Sequence, residues 1–310
     1  MVKGVYIREQ DRQQCCHGDG ALATSRWWEF FGFQLNQVLV DEKDKSIFGA
    51  VYELKLSSQA QASKPPKQVI AFRGTLIKKE SCLQDFRLDH RIIKRTLHNS
   101  FRVHEGLQAV QIAVSKVGAE NVWLAGHSLG SSIALLVGRN MVKMGYHLET
   151  YLFNPPFVSL PTQLIKNPTL QEGIHLAHTV VKAGMAVAMS IAKNKKFTED
   201  DEEFSVLIPW IPYLFINPSD LICAEYLQYF QHRERMVAAG AGEIGRFAAR
   251  NSVRSMIMSA SGKDSAPSHL IPSAYLTINL NHSPDIVAAH DLSQWWLPDL
   301  NLDYKLYQFR

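Results

Sequence analysis

The sequence predicts an α/β fold with a mainly parallel, doubly wound sheet, and three observations carry that prediction. Short apolar runs of strand length recur at 46–56, 68–72, 122–125, 149–153, 207–216 and 271–280. Stretches with helical spacing separate several of them, at 104–117, at 133–144 and from 226 to about 260. Strands that alternate with helices of this length pack as a parallel sheet covered by helices. The third observation is a junction in mid-chain, Gly126-His-Ser-Leu-Gly130, where an apolar strand turns abruptly into a helix.

Bulk properties bound the remaining choices. A chain of 310 residues with 46% hydrophobic content can bury a sizeable core, expected as one domain over 26–310 behind a loose polar flank at 1–25. A net charge of +4 argues against a dedicated nucleic-acid surface and leaves room for weak attraction to anionic membranes. Cys15 and Cys16 are adjacent and cannot easily bridge; with Cys82 and Cys223 they form no C-x-x-C pair. Reduced thiols, and the lack of an apolar segment in the first residues, lead to an expected cytoplasmic location with membrane association left open. Asn281-His-Ser283 has the form of a glycosylation sequon, but Pro284 follows it.

The elements follow in order. Residues 26–31 form an aromatic cluster suited to packing. The strand at 46–56 and the strand at 68–72 flank a polar loop at 57–66, and the second strand ends in Arg73-Gly74-Thr75. A solvated loop and helix at 78–98 precede His104-Glu-Gly106, which opens a helix feeding the strand at 122. The strand at 149–153 stops at Asn154-Pro-Pro156. Residues 176–192 are almost wholly apolar, yet short of the ~18 uninterrupted apolar residues of a membrane span. With the charge-dense stretch at 193–203 they read as an insertion at 172–203, either a core helix or a lid. The strand at 207–216 ends at Asn217-Pro-Ser-Asp220, and Arg246, Arg250 and Arg254 mark a solvated helix face. The last strand, at 271–280, leads into a loop from 281 to His290, before Trp295 and Trp296.

Chemistry concentrates at strand ends. Strand, G-x-S-x-G, helix is a nucleophile elbow, which raises the Ser128 hydroxyl above the sheet. Such a serine needs an imidazole to take its proton and a carboxylate to steady the imidazolium, in the chain order Ser, Asp or Glu, His. Asp220 and His290 stand just past strand ends on the expected edge; Asp285 competes for the acid, and His282 and His269 for the base. Oxyanion donors are expected from the backbone N–H of Leu129 and from Thr75. Among the motifs there is no metal constellation, P-loop or dinucleotide fingerprint, and no cofactor is expected.

Several motifs together resemble the class 3 (fungal-type) lipase family of α/β-hydrolases: Phe72-Arg-Gly-Thr75, Val103-His-Glu-Gly-Leu107, Ala125-Gly-His-Ser-Leu-Gly130 and Phe153-Asn-Pro-Pro156. Asn217-Pro-Ser-Asp220 and the stretch from Ala289-His290 to Trp296 are similar to a plant branch of it, some members of which are labelled GDSL esterase/lipase. This chain has no Gly-Asp-Ser-Leu block. The resemblance implies an α/β-hydrolase fold and hydrolysis of acyl esters, often of glycerolipids, with nucleophile Ser128, acid Asp220, base His290 and oxyanion donor Thr75. Two departures stand out: Ser131 follows Gly130 where a second glycine is usual, and the chain from Ser128 to Asp220 is long. The expectation is a serine carboxylic-ester hydrolase acting on lipid or other acyl esters, with peripheral membrane contact open and oligomeric state unassigned. The alternatives are an inactive hydrolase-fold module for lipid or protein binding, and acyl transfer to an alcohol through the same three residues.

Overall fold

The computed structural model describes residues 1–16, 20–24, 26–55, 65–76, 101–157, 205–239 and 271–309. Among these, eight strands form one sheet whose order follows the chain. They are β1 Phe33–Val40, β2 Ile47–Leu54, β3 Gln68–Phe72, β4 Val122–His127, β5 Glu149–Phe153, β6 Tyr213–Ile216, β7 Ala274–Asn279 and β8 Leu302–Tyr307. β3 to β7 run parallel, while β1, β2 and β8 join antiparallel at the ends. The helices described are α1 Val2–Gln14, α2 Phe101–Val117, α3 Leu129–Lys143, α4 Glu225–Ala239 and the short α5 Ile286–His290. The expected mainly parallel α/β sheet flanked by helices is present.

Alternation along the strands divides the core in two. Val51, Ile70, Phe72 and Leu124 face a large cluster built with Val110 and Ala113 of α2, Ile133, Val137 and Met141 of α3, and Tyr226 and Phe230 of α4. Ala50, Tyr52, Val69 and Ala71 point the other way, onto Val2 and Val5 of α1, Trp28 and Leu292. The buried α2 positions Gly106, Ala109, Val110 and Ala113 recur at helical spacing, which fixes the face it turns to the sheet. α3 ends where Gly145 takes a positive φ of 87°, a conformation that continues no helix.

The structure differs from the sequence reading at four places. Residues 1–25 are not a loose flank throughout: α1 buries Val2, Val5 and the carboxylate of Glu9 against the sheet. Its polar composition conceals this, because Glu9 is buried with partners, taking Arg12 at 2.7 Å and the Ile47 N–H at 2.8 Å. The run 207–216 is strand only from Tyr213; Pro209 and Pro212 lack the N–H a ladder needs. The sequence reading also lacks β1 and β8, which lie at the sheet margins and are buried irregularly along their length. In the aromatic cluster Trp28 is buried, but Phe30 and Phe31 are exposed.

The insertion at 172–203, the apolar stretch 176–192, the arginines at 246, 250 and 254, Cys82 and His269 lie outside the described residues. Among the described residues no helix is long and apolar enough to cross a membrane.

Truncating Val5 to Ala tests the place of α1 in the core. The expected loss is about 2 kcal/mol in urea unfolding, the cost of a buried aliphatic group and the space it leaves. Unchanged stability would put α1 outside the cooperative fold.

Candidate active site

Parallel strands bring their C-terminal ends to one edge, and each expected site residue follows such an end. Phe72 pairs with Gly126, Gly126 with Leu152, and Ile216 with Ile278. Arg73-Gly74-Thr75, Ser128, Asn154, Asp220 and His290 therefore all leave the sheet on the same side.

The elbow is set by sterics. A Cβ on Gly126 would lie 2.3 Å from the Gly130 carbonyl oxygen, and one on Gly130 would lie 2.4 Å from that of Phe72. No side chain fits either gap. Ser128 caps α3 with φ 55° and ψ −126°, a strained conformation for a residue with a Cβ, costing about 1–3 kcal/mol. It is held from both sides: its N–H donates to Phe153 O at 3.0 Å, and its carbonyl accepts from Ser131 N at 2.9 Å. Ser131, the departure from the usual glycine, is fully buried and its hydroxyl donates to the same Phe153 carbonyl at 2.8 Å.

Asp220 and His290 are brought together. His290 Nδ1 donates to Asp220 Oδ2 at 2.8 Å, with the acid wholly buried and the imidazole 4% exposed. Asp220 Oδ2 also accepts from Asn154 Nδ2 at 2.7 Å and from the Cys223 thiol at 3.1 Å, and Oδ1 accepts from Ile222 N at 3.0 Å. Burial by itself would raise this carboxyl. The adjacent His290 and the hydrogen bonds from His290, Asn154 and Ile222 outweigh it and hold the group below the usual carboxylate range. Burial, then the neighbouring Asp220 carboxylate, push the Cys223 thiol well up, so it stays protonated as a donor.

His290 closes α5 rather than lying in an open loop. Asp285, the rival acid, caps that helix by accepting from Ala288 N at 2.8 Å, and the rival base His282 is exposed. Gln294 secures the segment: its amide nitrogen donates to the Ala289 carbonyl and its oxygen accepts from Asn217 Nδ2 at 2.7 Å. Asn154 adds a second brace, donating to Ala289 O at 3.1 Å and accepting from Trp295 Nε1 at 2.8 Å.

The expected oxyanion donors adjoin Ser128. Leu129 is the first residue of α3, where a backbone N–H has no acceptor within the helix and the helix dipole favours negative charge. Gly74 passes so near the elbow that a Cβ there would lie 2.7 Å from Ser128 Cβ. Thr75 follows it and is exposed.

Sequence reasoning missed Asn154, Gln294, Cys223, His127 and Tyr6. His127 Nε2 contacts the His290 carbonyl at 2.8 Å. A carbonyl only accepts, so Nε2 carries the proton and Nδ1 accepts from the Tyr6 hydroxyl at 2.7 Å. Burial, then the neighbouring His290, push the His127 pKa down to about 3. The position of Asn154, directly after a strand end on the site edge, was a readable signal. Tyr6 offered none.

Strain at Ser128 predicts that Ser128→Gly melts above Ser128→Ala, by about 1 kcal/mol in unfolding free energy, because glycine accepts positive φ. Equal stability would remove the strain argument. His127 predicts a pH effect. Its folded pKa of about 3 lies below the unfolded value of ~6.5, so the unfolded chain takes up the proton first. The stability is complete above about pH 6.5 and is lost as pH falls toward 3. Between about pH 6.5 and 4.5 the protein should lose about 2 kcal/mol more than His127→Gln, measured by urea titrations at each pH.

Comparison with known proteins identifies relatives of the chain. The family description "Lipase (class 3)" matches residues 69–171. A protein of Arabidopsis thaliana named GDSL esterase/lipase is 40% identical over 322 residues, covering 100% of this chain and 90% of that protein. Among solved structures, nonglycosylated LIP2 lipase of Yarrowia lipolytica is 18% identical, over 51% of this chain and 58% of that one, with TM-score 0.31. The lipase of Rhizopus microsporus var. chinensis is 14% identical, over 71% of this chain and 65% of that one, with TM-score 0.35. The chain thus spans less than two thirds of either solved lipase, and these partial overlaps carry no weight here. The whole-length relative does: the chain belongs to the class 3 lipase family of α/β-hydrolases and is a carboxylic-ester hydrolase.

Proposed function

We propose that the chain hydrolyses lipid esters, acyl glycerides among them, through Ser128, His290 and Asp220. The observation that carries the reading is the buried His290–Asp220 pair, on the same sheet edge as the strained Ser128. With Nδ1–H committed to Asp220, Nε2 is the nitrogen that takes the serine proton as Oγ attacks the acyl carbonyl. Asp220, held ionised by its buried donors, steadies the imidazolium that results. The Leu129 and Thr75 N–H groups stabilise the oxyanion, each worth about 3 kcal/mol when removed singly. His290 then protonates the leaving alcohol, and water releases the acyl group by the same route.

The substrate class rests on the family alone. A water–lipid boundary reached by peripheral contact is the setting this substrate implies.

Turnover of a panel of acyl glycerides and p-nitrophenyl esters tests the reading. Ser128→Ala should lose all enzymatic turnover, and Asp220→Asn about 10³–10⁴ in kcat with KM little changed. Ser128→Ala at wild-type rate would sink the mechanism. A wild-type enzyme that turns over only short, soluble esters would sink the lipid assignment.

A further inference from the structure

The oxyanion loop is gripped by the N-terminal helix. Tyr6, on α1, reaches the sheet edge and its hydroxyl accepts from the Gly74 N–H at 2.7 Å. The same hydroxyl donates to His127 Nδ1 at 2.7 Å, and the Tyr6 ring meets the His127 ring edge-on at 5.7 Å. Hydrogen-bond polarity therefore runs one way, from Gly74 N–H to the Tyr6 hydroxyl to His127. From His127 Nε2–H the chain goes on to the backbone carbonyl of His290. One phenol thus joins the oxyanion loop, the elbow and the base-bearing segment.

The other side of Gly74 is held as well. Its carbonyl accepts from Arg73 Nη1 at 2.6 Å. Arg73 is itself 6% exposed and lies 3.6 Å from the carboxylate of Glu9, one turn of α1 beyond Tyr6. A peptide group is planar and trans, so its carbonyl and the following N–H point in opposite directions. Fixing the Gly74 carbonyl therefore fixes the direction of the Thr75 N–H. Both peptide planes at Gly74 are set by residues that α1 supplies or anchors. Space is set too, since a Cβ on Gly74 would lie 2.7 Å from the Tyr6 hydroxyl oxygen.

We infer that Tyr6, with Glu9 acting through Arg73, is a positioning residue for the oxyanion hole, and that α1 presets the Thr75 donor before substrate arrives. The inference rests on the proposed role of Thr75 and Ser128. Donors fixed in advance stabilise the developing oxyanion without reorganising, so their loss falls on the transition state and leaves ground-state binding alone.

The test compares three variants of the full chain on a p-nitrophenyl ester, with inhibition by a trifluoromethyl ketone, which mimics the tetrahedral intermediate. Tyr6→Phe keeps the ring and removes the hydroxyl. Its kcat should fall at least tenfold with KM within about twofold, and its trifluoromethyl-ketone Ki should rise in proportion to the kcat loss. Glu9→Gln should show the same pattern more weakly. Val5→Ala loosens the packing of α1 without touching the loop; it should lose stability but keep wild-type kcat and Ki. A Tyr6→Phe enzyme with wild-type kcat and Ki would overturn the inference. So would an equal kcat loss in Val5→Ala, which would reduce the role of α1 to stability. An active Ser128→Ala would instead remove the functional reading beneath it, so the two failures are told apart.

Discussion

Everything at this site depends on how closely β4 and α3 approach one another around Ser128. With carbonyl oxygens of Gly130 and Phe72 filling the space where side chains would begin, Gly126 and Gly130 leave the turn one geometry. Ser128 then adopts positive φ, and its strain is held by bonds to Phe153 and from Ser131 rather than by the turn itself. A hydroxyl so placed stands outside the sheet, beside the first unpaired N–H groups of α3. The start of α3 and the conformation of Ser128 are consequences of these close approaches.

Around that contact the polar groups are buried in a strict order. Asp220 loses water altogether, and a lone carboxylate there would take up a proton. His290, Asn154, Cys223 and Ile222 replace the water, and Asn154 and Gln294 secure the backbone next to His290. His127 is the complementary case. Burial keeps it neutral, and neutrality fixes which nitrogen donates, so the links from Tyr6 to the His290 carbonyl keep a single direction. The ionised Asp220 and the neutral His127 make opposite electrostatic demands that different partners meet, and the His127 and His290 rings lie 5.0 Å apart.

Much of this was legible in the residue order, for a physical reason. Parallel strands need apolar runs, and a tight strand–helix turn needs small residues, so β3, β4, β5 and the elbow could be read from composition at short range. Asp220 and His290 stand out in the sequence because strand ends on one edge are where loops can converge, and in the structure the two side chains meet. What escaped notice relies on pairing across long separations. α1 has a polar sequence, and its burial makes sense only when Glu9 meets Arg73 and Tyr6 meets Gly74. β1 and β8 are margin strands held by pairing with β2 and β7, and their burial is irregular. Gln294 braces a backbone carbonyl, a duty that leaves no pattern in sequence, whereas Asn154 shows itself only by its place after a strand end.

The central claim is that the elbow serine is the nucleophile of an assembled site. Mass spectrometry of the native protein after treatment with a fluorophosphonate tests it most directly. The account predicts one phosphonyl adduct per chain, on the peptide that carries Ser128, and none on Ser128→Ala. An adduct on a different residue, or a native protein that never labels, would contradict it.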